Sequence, residues 1–432
     1  MEHIKVLSLN CRGQTRFSVS KQLQIQDIVK THHIDILLCQ ETSLDQDSFN
    51  VCEFILTNFT KIINNAHNEF GTSCLVKNSF LIEDIYKDSE GRIIMFNVGD
   101  ITFVNVYLPS GTDAVSRNKR EEMLASTLPN LLLNRKGSGV IVGDWNCISR
   151  KEDCTNHPDM KMSPNLKRFL NIFNLKDIHL QFRHSSQQYS HFYRSSNQEA
   201  GASRIDRGYF FGDILPSSSE YLPVALSDHQ MYLVTLNLLN GLERLVSPKK
   251  KPFFKMNADV IDNEDFREEI KEEIMHWTVI KNKFKYPLLQ WWEWIVKPGI
   301  RKIAIKHSKA INKSKRGSLN LLYLRQLFLM KKVKEGELNF LPDLQEVHFL
   351  INHWFEEEAN RVLTLIDMED ITGSEMVRIH HHEIHKKRAV RSSILQLESK
   401  SGIVIGHDKC AELLTENAAS FLEQEILLDA AA

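Results

Sequence analysis

The sequence has no apolar run long enough to cross a membrane, and its first residues contain no basic stretch followed by an apolar core. We therefore expect no membrane span and no secretion signal. Cysteine is scarce, with seven residues in a chain of 432. Cys39 and Cys74 lie in apolar, strand-like runs, which favours buried thiols in a reducing compartment over disulfides. Cys147 and Cys154 have no nearby Cys or His pair, so zinc binding is not expected.

Acidic residues are missing from one long basic segment. The formal net charge of the chain is −1, but residues 297–334 contain twelve Lys and Arg and no Asp or Glu. This segment favours nucleic-acid binding, with Arg301, Lys302, Lys306 and Lys309 as candidate contacts.

Two nearby features have a structural and a functional interpretation. Trp291, Trp292 and Trp294 precede the basic segment and could stack on bases, but we favour a helix-bundle core for them. The histidine-rich run at residues 380–385 could recruit a metal ion. We favour a polar helix face for that run, because no partner ligand is evident.

The length of the chain predicts two or three units. Residues 1–240 alternate short β-rich runs with helical patterns, which predicts an α/β fold with two antiparallel-rich sheets packed face to face and helices outside. The predicted strands are residues 4–10, 34–40, 73–77, 92–98, 101–108, 140–144, 186–193, 205–211 and 231–238, and the predicted helices are 19–32, 117–134 and 165–173.

The second half of the chain has a different character. A Pro- and Lys-rich linker is predicted at residues 241–256, followed by a mainly α-helical region at 257–390 and a mixed segment at 391–432. The helical pattern predicts helices at 265–277, 289–313 and 319–335 and one that begins at Pro342. In the final segment we expect a strand near residues 394–397 and a helix at 409–428.

Polar motifs follow several strands of the first 240 residues, at or just beyond the point where each strand ends. A sheet that ends its strands in this way brings residues distant in sequence into one pocket. In chain order the motifs are Asn10, Gln40-Glu41-Thr42, Gly143-Asp144-Trp145-Asn146, Ser203-Arg204-Ile205-Asp206 and Ser227-Asp228-His229.

These residue types suit phosphodiester hydrolysis, which requires an activated water and neutralisation of phosphoryl charge. Glu41 is a hard oxygen donor suited to Mg²⁺. Asp144 would face the attacking water, and Asp206 would orient His229 beside a phosphate. Tyr107 would donate its hydroxyl to a phosphate oxygen. Taken alone, each residue has an ordinary interpretation as a turn or packing residue, and only the complete ordered set favours catalysis.

With these motifs the chain resembles the endonuclease/exonuclease/phosphatase superfamily, which includes DNase I-like nucleases and apurinic/apyrimidinic endonucleases. It is most similar to the endonuclease domain of LINE-type (non-LTR) retrotransposons. The resemblance covers residues 1–240 and implies a two-sheet, DNase I-like β-sandwich flanked by helices. The matching runs are Leu7-Ser8-Leu9-Asn10-Cys11-Arg12-Gly13, Gln40-Glu41-Thr42, Val106-Tyr107-Leu108-Pro109, Gly143-Asp144-Trp145-Asn146, Ser203-Arg204-Ile205-Asp206-Arg207 and Ser227-Asp228-His229.

The resemblance implies a role for each matching residue. It implies that Glu41 and Asn10 bind the metal, and that Asp228 is the acidic neighbour linked to a second metal. The implied catalytic residues are Asp144, Asn146, Asp206, His229 and Tyr107. The implied DNA contacts are Ser203, Arg204 and Ser190. The implied cofactor is Mg²⁺, with Mn²⁺ as an alternative, and no small-molecule cofactor is implied.

Looser similarity extends to the second half. Residues 291–309 resemble the segment between endonuclease and reverse transcriptase in LINE elements, and residues 391–422 resemble the stretch that precedes the polymerase fingers. No polymerase motif follows, so we expect the front of a longer polyprotein or a truncated element. The partners implied are double-stranded DNA and, through the basic helical region, element RNA, with no membrane partner and a nuclear and cytoplasmic location.

Two other functions remain open from the sequence alone. An abasic-site repair endonuclease would use the same residues and the same chemistry. A nucleic-acid-binding remnant without nuclease activity would keep the fold but not cut.

Overall fold

The computed structural model describes residues 2–12, 18–42, 56–67, 70–111, 113–133, 137–156, 158–182, 188–194, 200–238, 258–284, 287–372, 396–399 and 402–405. The chain divides into two compact units, Met1–Arg361 and Val362–Ala432. The linker predicted at 241–256, the histidine run at 380–385 and the helix expected at 409–428 lie outside the described residues.

The first unit contains two six-stranded mixed sheets. The order of strands in the first sheet is β13-β14-β1-β2-β4-β3, and β1 and β2 form its parallel pair. This sheet contains β1 (Glu2–Asn10), β2 (Ile36–Gln40), β3 (Phe59–His67), β4 (Phe70–Lys77), β13 (Leu215–Leu222) and β14 (Met231–Leu238).

The second sheet has the order β5-β6-β7-β8-β12-β9, with β7 and β8 parallel. A separate hairpin, β10–β11, leads into its strand β12. The strands are β5 (Ile82–Lys87), β6 (Ile93–Val98), β7 (Ile101–Tyr107), β8 (Ser138–Asp144), β9 (Lys176–Asp177), β10 (His191–Arg194), β11 (Ala200–Ser203) and β12 (Asp206–Phe211).

The two sheets pack face to face. Alternation along β1 shows how the layers form: Ile4 and Val6 enter the core between the sheets, while Leu7 and Leu9 pack on the outer side against the first helix. Phe96 and Phe103 supply stacked rings to the central core from the second sheet. The predicted two-sheet sandwich flanked by helices is therefore confirmed.

Helices cover the outer face of each sheet. The first helix begins after Ser18, whose hydroxyl accepts from the Lys21 amide, and ends at His33 in a left-handed conformation. The helices are α1 (Val19–His32), α2 (Ala114–Glu122), a π-helical turn (Met123–Thr127), α3 (Leu128–Leu133), α4 (Pro158–Lys161) and α5 (Pro164–Ile172).

A mainly helical region follows, as predicted, and it belongs to the first unit up to Arg361. It contains α6 (Ala258–Ile261), α7 (Glu264–Ile280), α8 (Pro287–Trp291), a π-helical turn (Trp292–Val296), α9 (Lys297–Lys334) and α10 (Leu341–Thr372).

The structure corrects two predictions in this region. Instead of a break near residue 317, α9 is one continuous helix, because Leu319 and Ala304 are buried on either side of Gly317 and packing overrides the low propensity of glycine. The tryptophans do not form a core. Trp292 and Trp294 are 46% and 62% exposed, and Val296 is the buried residue of that turn.

The helical region shares an apolar core with the sandwich. Along α10 the apolar stripe of Leu344, Val347, Ile351 and Phe355 is buried, and the same cluster includes Ala225, from the loop before β14. Polar contacts reinforce this packing. Asn352 Nδ2 donates to the Ala225 carbonyl at 2.9 Å, and Asn352 Oδ1 accepts from Gln24 of α1 at 2.8 Å.

In the second unit, the described residues are the end of α10, up to Thr372, and one hairpin, β15 (Gln396–Ser399) with β16 (Gly402–Ile405). No helix in the described part of the chain is long and apolar enough to span a bilayer.

Substituting Asn352→Ala should lower the melting temperature by roughly 2–4 °C, because a backbone carbonyl and a glutamine amide both lose their partner. The matched control is Asn320→Ala, an exposed asparagine on α9. Thermal denaturation of both variants measures the difference. Equal melting temperatures for N352A and the parent would show that this contact contributes nothing.

Candidate active site

Strand register brings three predicted residues side by side. Tyr107 pairs with Asp144 between β7 and β8, and Asp144 pairs with Asp206 between β8 and β12. Gly143 permits the close approach of β8 to β7, since a Cβ there would lie 1.9 Å from the Val106 carbonyl oxygen. Three neighbouring strands therefore place Tyr107, Asp144 and Asp206 side by side at the same edge of the sheet.

The first sheet contributes its residues to the same point. Asn10, at the end of β1, donates from Nδ2 to Asp144 Oδ2 at 3.0 Å and to Glu41 Oε1 at 3.1 Å. Glu41 follows β2 in a left-handed conformation, with φ of 52°. The carboxylates of Glu41 and Asp144, which come from different sheets, thus lie within about 3 Å of the same nitrogen.

Asn146 holds Asp144 in place. The Asn146 backbone amide donates to Asp144 Oδ1 and its side-chain nitrogen to Asp144 Oδ2, both at 3.0 Å. The side-chain nitrogen also donates to the Leu108 carbonyl at 2.9 Å. Asn146 has a φ of 49°, so the turn after β8 adopts a conformation that asparagine tolerates better than most residues.

Asp206 and His229 form a buried pair, with 2.8 Å between His229 Nδ1 and Asp206 Oδ2. Ligand-type atoms of Asp144, Asp206 and His229 all lie within 4.8 Å of one another. Burial disfavours the charged imidazole, but the adjacent Asp206 carboxylate and its hydrogen bond outweigh burial and raise the pKa of His229 to about 10. His229 is therefore an imidazolium at neutral pH.

The environment of Asp144 favours its neutral, protonated form. Burial and the nearby charge of Asp206 raise the pKa of Asp144 to about 7. A carboxyl group with this pKa takes up and releases a proton near neutral pH, as a general base must. When neighbouring groups have different environments, their pKa values differ and the groups can take different roles in proton transfer. Here His229 stays protonated, whereas Asp144 can exchange a proton near neutral pH.

The Tyr107 ring is buried beside these carboxylates. Burial, together with the charges of Glu41 and Asp144, raises the pKa of Tyr107 far above its usual range, so its hydroxyl keeps its proton. The Arg92 guanidinium carbon lies 5.1 Å from the centre of the Tyr107 ring. Tyr107 is thus fixed as a hydrogen-bond donor at the edge of the cluster.

The donor set fits a hard divalent cation. Glu41, Asp144 and Asp206 offer carboxylate oxygens, which are the ligands that Mg²⁺ prefers. The clustering of buried carboxylates is costly without a cation nearby, and the raised pKa of Asp144 records that cost. When bound, such an ion would supply charge neutralisation at the phosphoryl group.

Asp228 precedes His229 and is exposed. Its Oδ2 is 3.8 Å from Arg12 Nε and 3.9 Å from His191 Nε2. Its role as a metal ligand stays a prediction.

The predicted DNA contacts Ser190, Ser203 and Arg204 are fully buried in this structure, and their role in DNA contact stays a prediction. The Arg204 guanidinium lies between Asp153 and Asp177, with nitrogen–oxygen distances of 2.9 and 2.8 Å, so it closes a structural ion-pair network. A buried arginine paired in this way has no surface to offer a ligand.

Ser190 supports Asp206 from behind. Its hydroxyl accepts from the backbone amides of Ile205 at 3.1 Å and Asp206 at 3.0 Å. The Tyr221 hydroxyl donates to the Asp206 carbonyl at 2.7 Å. Ser190 and Tyr221 are therefore positioning residues for the Asp206–His229 pair.

His191 lies beside this cluster, and no sequence motif indicated it. Its ring centroid is 4.6 Å from that of His229 and 5.6 Å from that of Tyr193. Burial and the charge of His229 lower the pKa of His191 to about 4, so its ring is neutral. Its place beside Ser190 was the available signal, but its stacking depends on tertiary contacts.

The basic segment lies away from this cluster, on α9. Part of its charge is neutralised by acids from other segments: Glu269 accepts from Lys306, and Asp27 accepts from Arg316. Arg301, Lys302 and Lys309 are exposed. The surface around residues 297–334 therefore carries less positive charge than the sequence of that segment alone indicates.

The fold and this site define a DNase I-like α/β sandwich with carboxylates and a histidine at the tips of its strands. The profile of the Endonuclease/Exonuclease/phosphatase family matches residues 7–229, just over half of the chain. The protein belongs to this family. No curated protein sequence matches the chain.

Solved structures similar to the chain include a 3′ phosphatase, NExo, from Neisseria bound to a product DNA hairpin, with 20% identity, 54% of this chain and 98% of that chain covered and a TM-score of 0.45. An AP endonuclease from Archaeoglobus fulgidus has 17% identity, 54% and 98% coverage and a TM-score of 0.42. The AP endonuclease LMAP from Leishmania major has 16% identity, 55% and 88% coverage and a TM-score of 0.44.

The raised pKa of His229 has a testable consequence. In metal-free protein, the His229 ring should stay protonated from neutral pH up to about 10. Asp206→Asn removes the stabilising charge, so burial then dominates and the pKa should fall to or below the usual value of about 6.5. NMR titration of histidine-labelled protein, with the resonance assigned by His229→Gln, measures both values.

The same shift links to stability. A histidine whose pKa is higher in the folded than in the unfolded state stabilises the fold fully below the unfolded pKa and loses that contribution as pH rises through the folded pKa. The parent should therefore lose more stability than D206N between pH 6.5 and about 10. An unshifted His229 titration in the parent would refute the ion pair.

Proposed function

We propose that the protein is a divalent-metal-dependent DNA endonuclease that nicks one strand by phosphodiester hydrolysis, with Mg²⁺ as its ion. The observation that carries the proposal is the buried set of Asp144, Asp206 and His229, joined to Glu41 through Asn10. Its parts match the needs of the reaction: a base near neutral pH, a fixed imidazolium and oxygen donors for a hard cation.

Each of these residues has its own role in the proposed hydrolysis. Asp144 accepts a proton from the attacking water, and Asn146 holds both of its oxygens. His229, kept charged by Asp206, donates a hydrogen bond to the phosphoryl oxygens as negative charge develops. Tyr107 donates a further hydrogen bond to the phosphate. We propose that hydrolysis leaves a 3′-hydroxyl and a 5′-phosphate.

A 3′-hydroxyl at a nick is the primer that target-primed reverse transcription needs. The motifs Asn-Cys-Arg-Gly at residues 10–13 and Ser-Arg-Ile-Asp-Arg at 203–207, with the basic helical region after the nuclease, support a role in a LINE-type retrotransposon. An abasic-site repair enzyme and a catalytically inactive remnant are the competing outcomes that the experiments below separate.

Nicking of supercoiled plasmid in Mg²⁺ tests the activity. Asp144→Asn and His229→Ala should each lower the rate at least about 100-fold, because each removes a group that acts only in the transition state. Asp213→Asn, at an exposed aspartate, is the matched control and should nick like the parent. Extension of the nick by a polymerase checks for the 3′-hydroxyl.

Two results would contradict the proposal. Nicking by D144N and H229A at the parental rate would place the chemistry elsewhere, and a parent that binds but never cuts would support the inactive remnant. Strong preference for an abasic duplex over the intact duplex would favour the repair enzyme.

We further propose that the exposed face of α9 binds element RNA. Lys302 and Lys309 are exposed, and no carboxylate of the described residues forms an ion pair with either of them. Lys302→Gln combined with Lys309→Gln should reduce the salt dependence of RNA binding by about two charges, without affecting plasmid nicking. Filter binding of a structured RNA at several salt concentrations measures this slope, and an unchanged slope would exclude this face.

A further inference from the structure

Lys161 is a cation near the candidate active site that no motif indicates. It ends α4, and its carbonyl accepts from the Ile148 amide at 2.8 Å. Ile148 lies two residues after Asn146, and it forms a further backbone bridge with Met162. The backbone of Lys161 is thus tied to the loop that holds Asp144.

The Lys161 side chain is held by neutral groups. Its Nζ donates to Ser203 Oγ at 3.1 Å and lies 4.6 Å from the centre of the Tyr193 ring. Burial lowers the pKa of Lys161, and the charge of Asp144 partly counteracts that effect. Among the described residues, no carboxylate lies within ion-pair distance of this ammonium group.

The nearby Arg204 provides a contrast. This buried cation, adjacent to Ser203, is matched by two aspartates. A partly buried ammonium without such a partner costs free energy that an anionic ligand would recover. Holding Lys161 in this position therefore destabilises the protein, and an external anion that paired with its ammonium group would offset that cost.

The position of Lys161 indicates which anion. Ser203 pairs in register with His191, whose ring stacks on His229. The charge of Lys161 acts on both Asp144 and His191. Lys161 therefore lies at the margin of the catalytic cluster, beyond the groups that would contact the phosphate being cut.

We propose that Lys161, positioned by Ser203 and Tyr193, binds a non-scissile phosphate of the substrate strand, next to the one that is hydrolysed. This inference rests on the nuclease function proposed above. Ammonium-to-phosphate contacts fix the register of a strand and contribute to binding in the ground state and the transition state alike. Lys161 therefore sets the affinity for the strand more than the rate of the chemical step.

The test is DNA binding by the full chain in the D144N background, which separates binding from cleavage. A fluorescein-labelled intact duplex is titrated by anisotropy at several salt concentrations. Lys161→Gln should weaken binding roughly five- to tenfold and reduce the salt slope by about one, as expected for one lost phosphate contact. Lys161→Arg should bind within about twofold of the D144N parent.

Two controls isolate the effect. Lys167→Gln removes an exposed lysine from α5 and should leave the salt slope unchanged. Lys161→Met keeps the apolar stem against Tyr193 without the charge, so it should reproduce the loss even if K161Q is destabilised. In otherwise active protein, K161M should raise KM with little change in kcat.

The outcomes are separable from those of the proposed function. A salt slope of K161Q and K161M equal to that of K167Q would overturn the subsite. A parent that shows the Lys161-dependent slope but never cuts DNA would leave the subsite standing and refute the nuclease. A large loss of kcat with unchanged affinity would show that Lys161 acts on the chemical step instead.

Discussion

The Asn10 amide joins two carboxylates that come from different sheets, and the candidate site depends on this junction. Two like charges about 5–6 Å apart repel by about 3 kcal/mol at an effective dielectric constant of 20. A hydrogen bond to a charged group contributes about 1.5–3 kcal/mol. The two bonds that Asn10 donates are thus large enough to offset the repulsion between Glu41 and Asp144.

The segment 203–207 divides its charged residues between the site and the fold. Asp206 turns toward the site and binds His229, whereas Arg204 and Arg207 are fully buried. Arg204 closes the ion pairs with Asp153 and Asp177, and the Arg207 side chain donates to the Cys147 carbonyl. The two arginines therefore fix the segment so that Asp206 is held in register with Asp144. The two arginines of this segment thus stabilise the fold, and Asp206 of the same segment contributes to the site.

Much of the fold and of the catalytic cluster could be predicted from the sequence. The bounds of α1 follow from its cap residue and periodicity. The predicted strand ends fall at Asn10 and Asp144, as in the structure, because strand pattern is local, whereas the pairing of Asp144 with Asp206 depends on tertiary contacts. Strands β3, β5 and β13 were not predicted because they show little apolar alternation, and most of β5 is exposed. Strands β9 and β11 were not predicted because they contain only two and four residues. The roles of Ser190 and Arg204 escaped prediction because only tertiary contacts decide whether a polar side chain faces a ligand or a buried partner.

The sequence places a boundary between nuclease and helical region, but packing continues across it. Asn352 on α10 binds the carbonyl of Ala225, two residues before Ser227 of the His229 loop. Phe192, next to His191, packs against the same apolar cluster as α9 and α10. Lys334 donates to the Tyr221 carbonyl, and the Tyr221 hydroxyl supports Asp206. The helices thus contact the two segments that carry His191 and His229, so the burial of the helices and the placement of His229 are energetically linked.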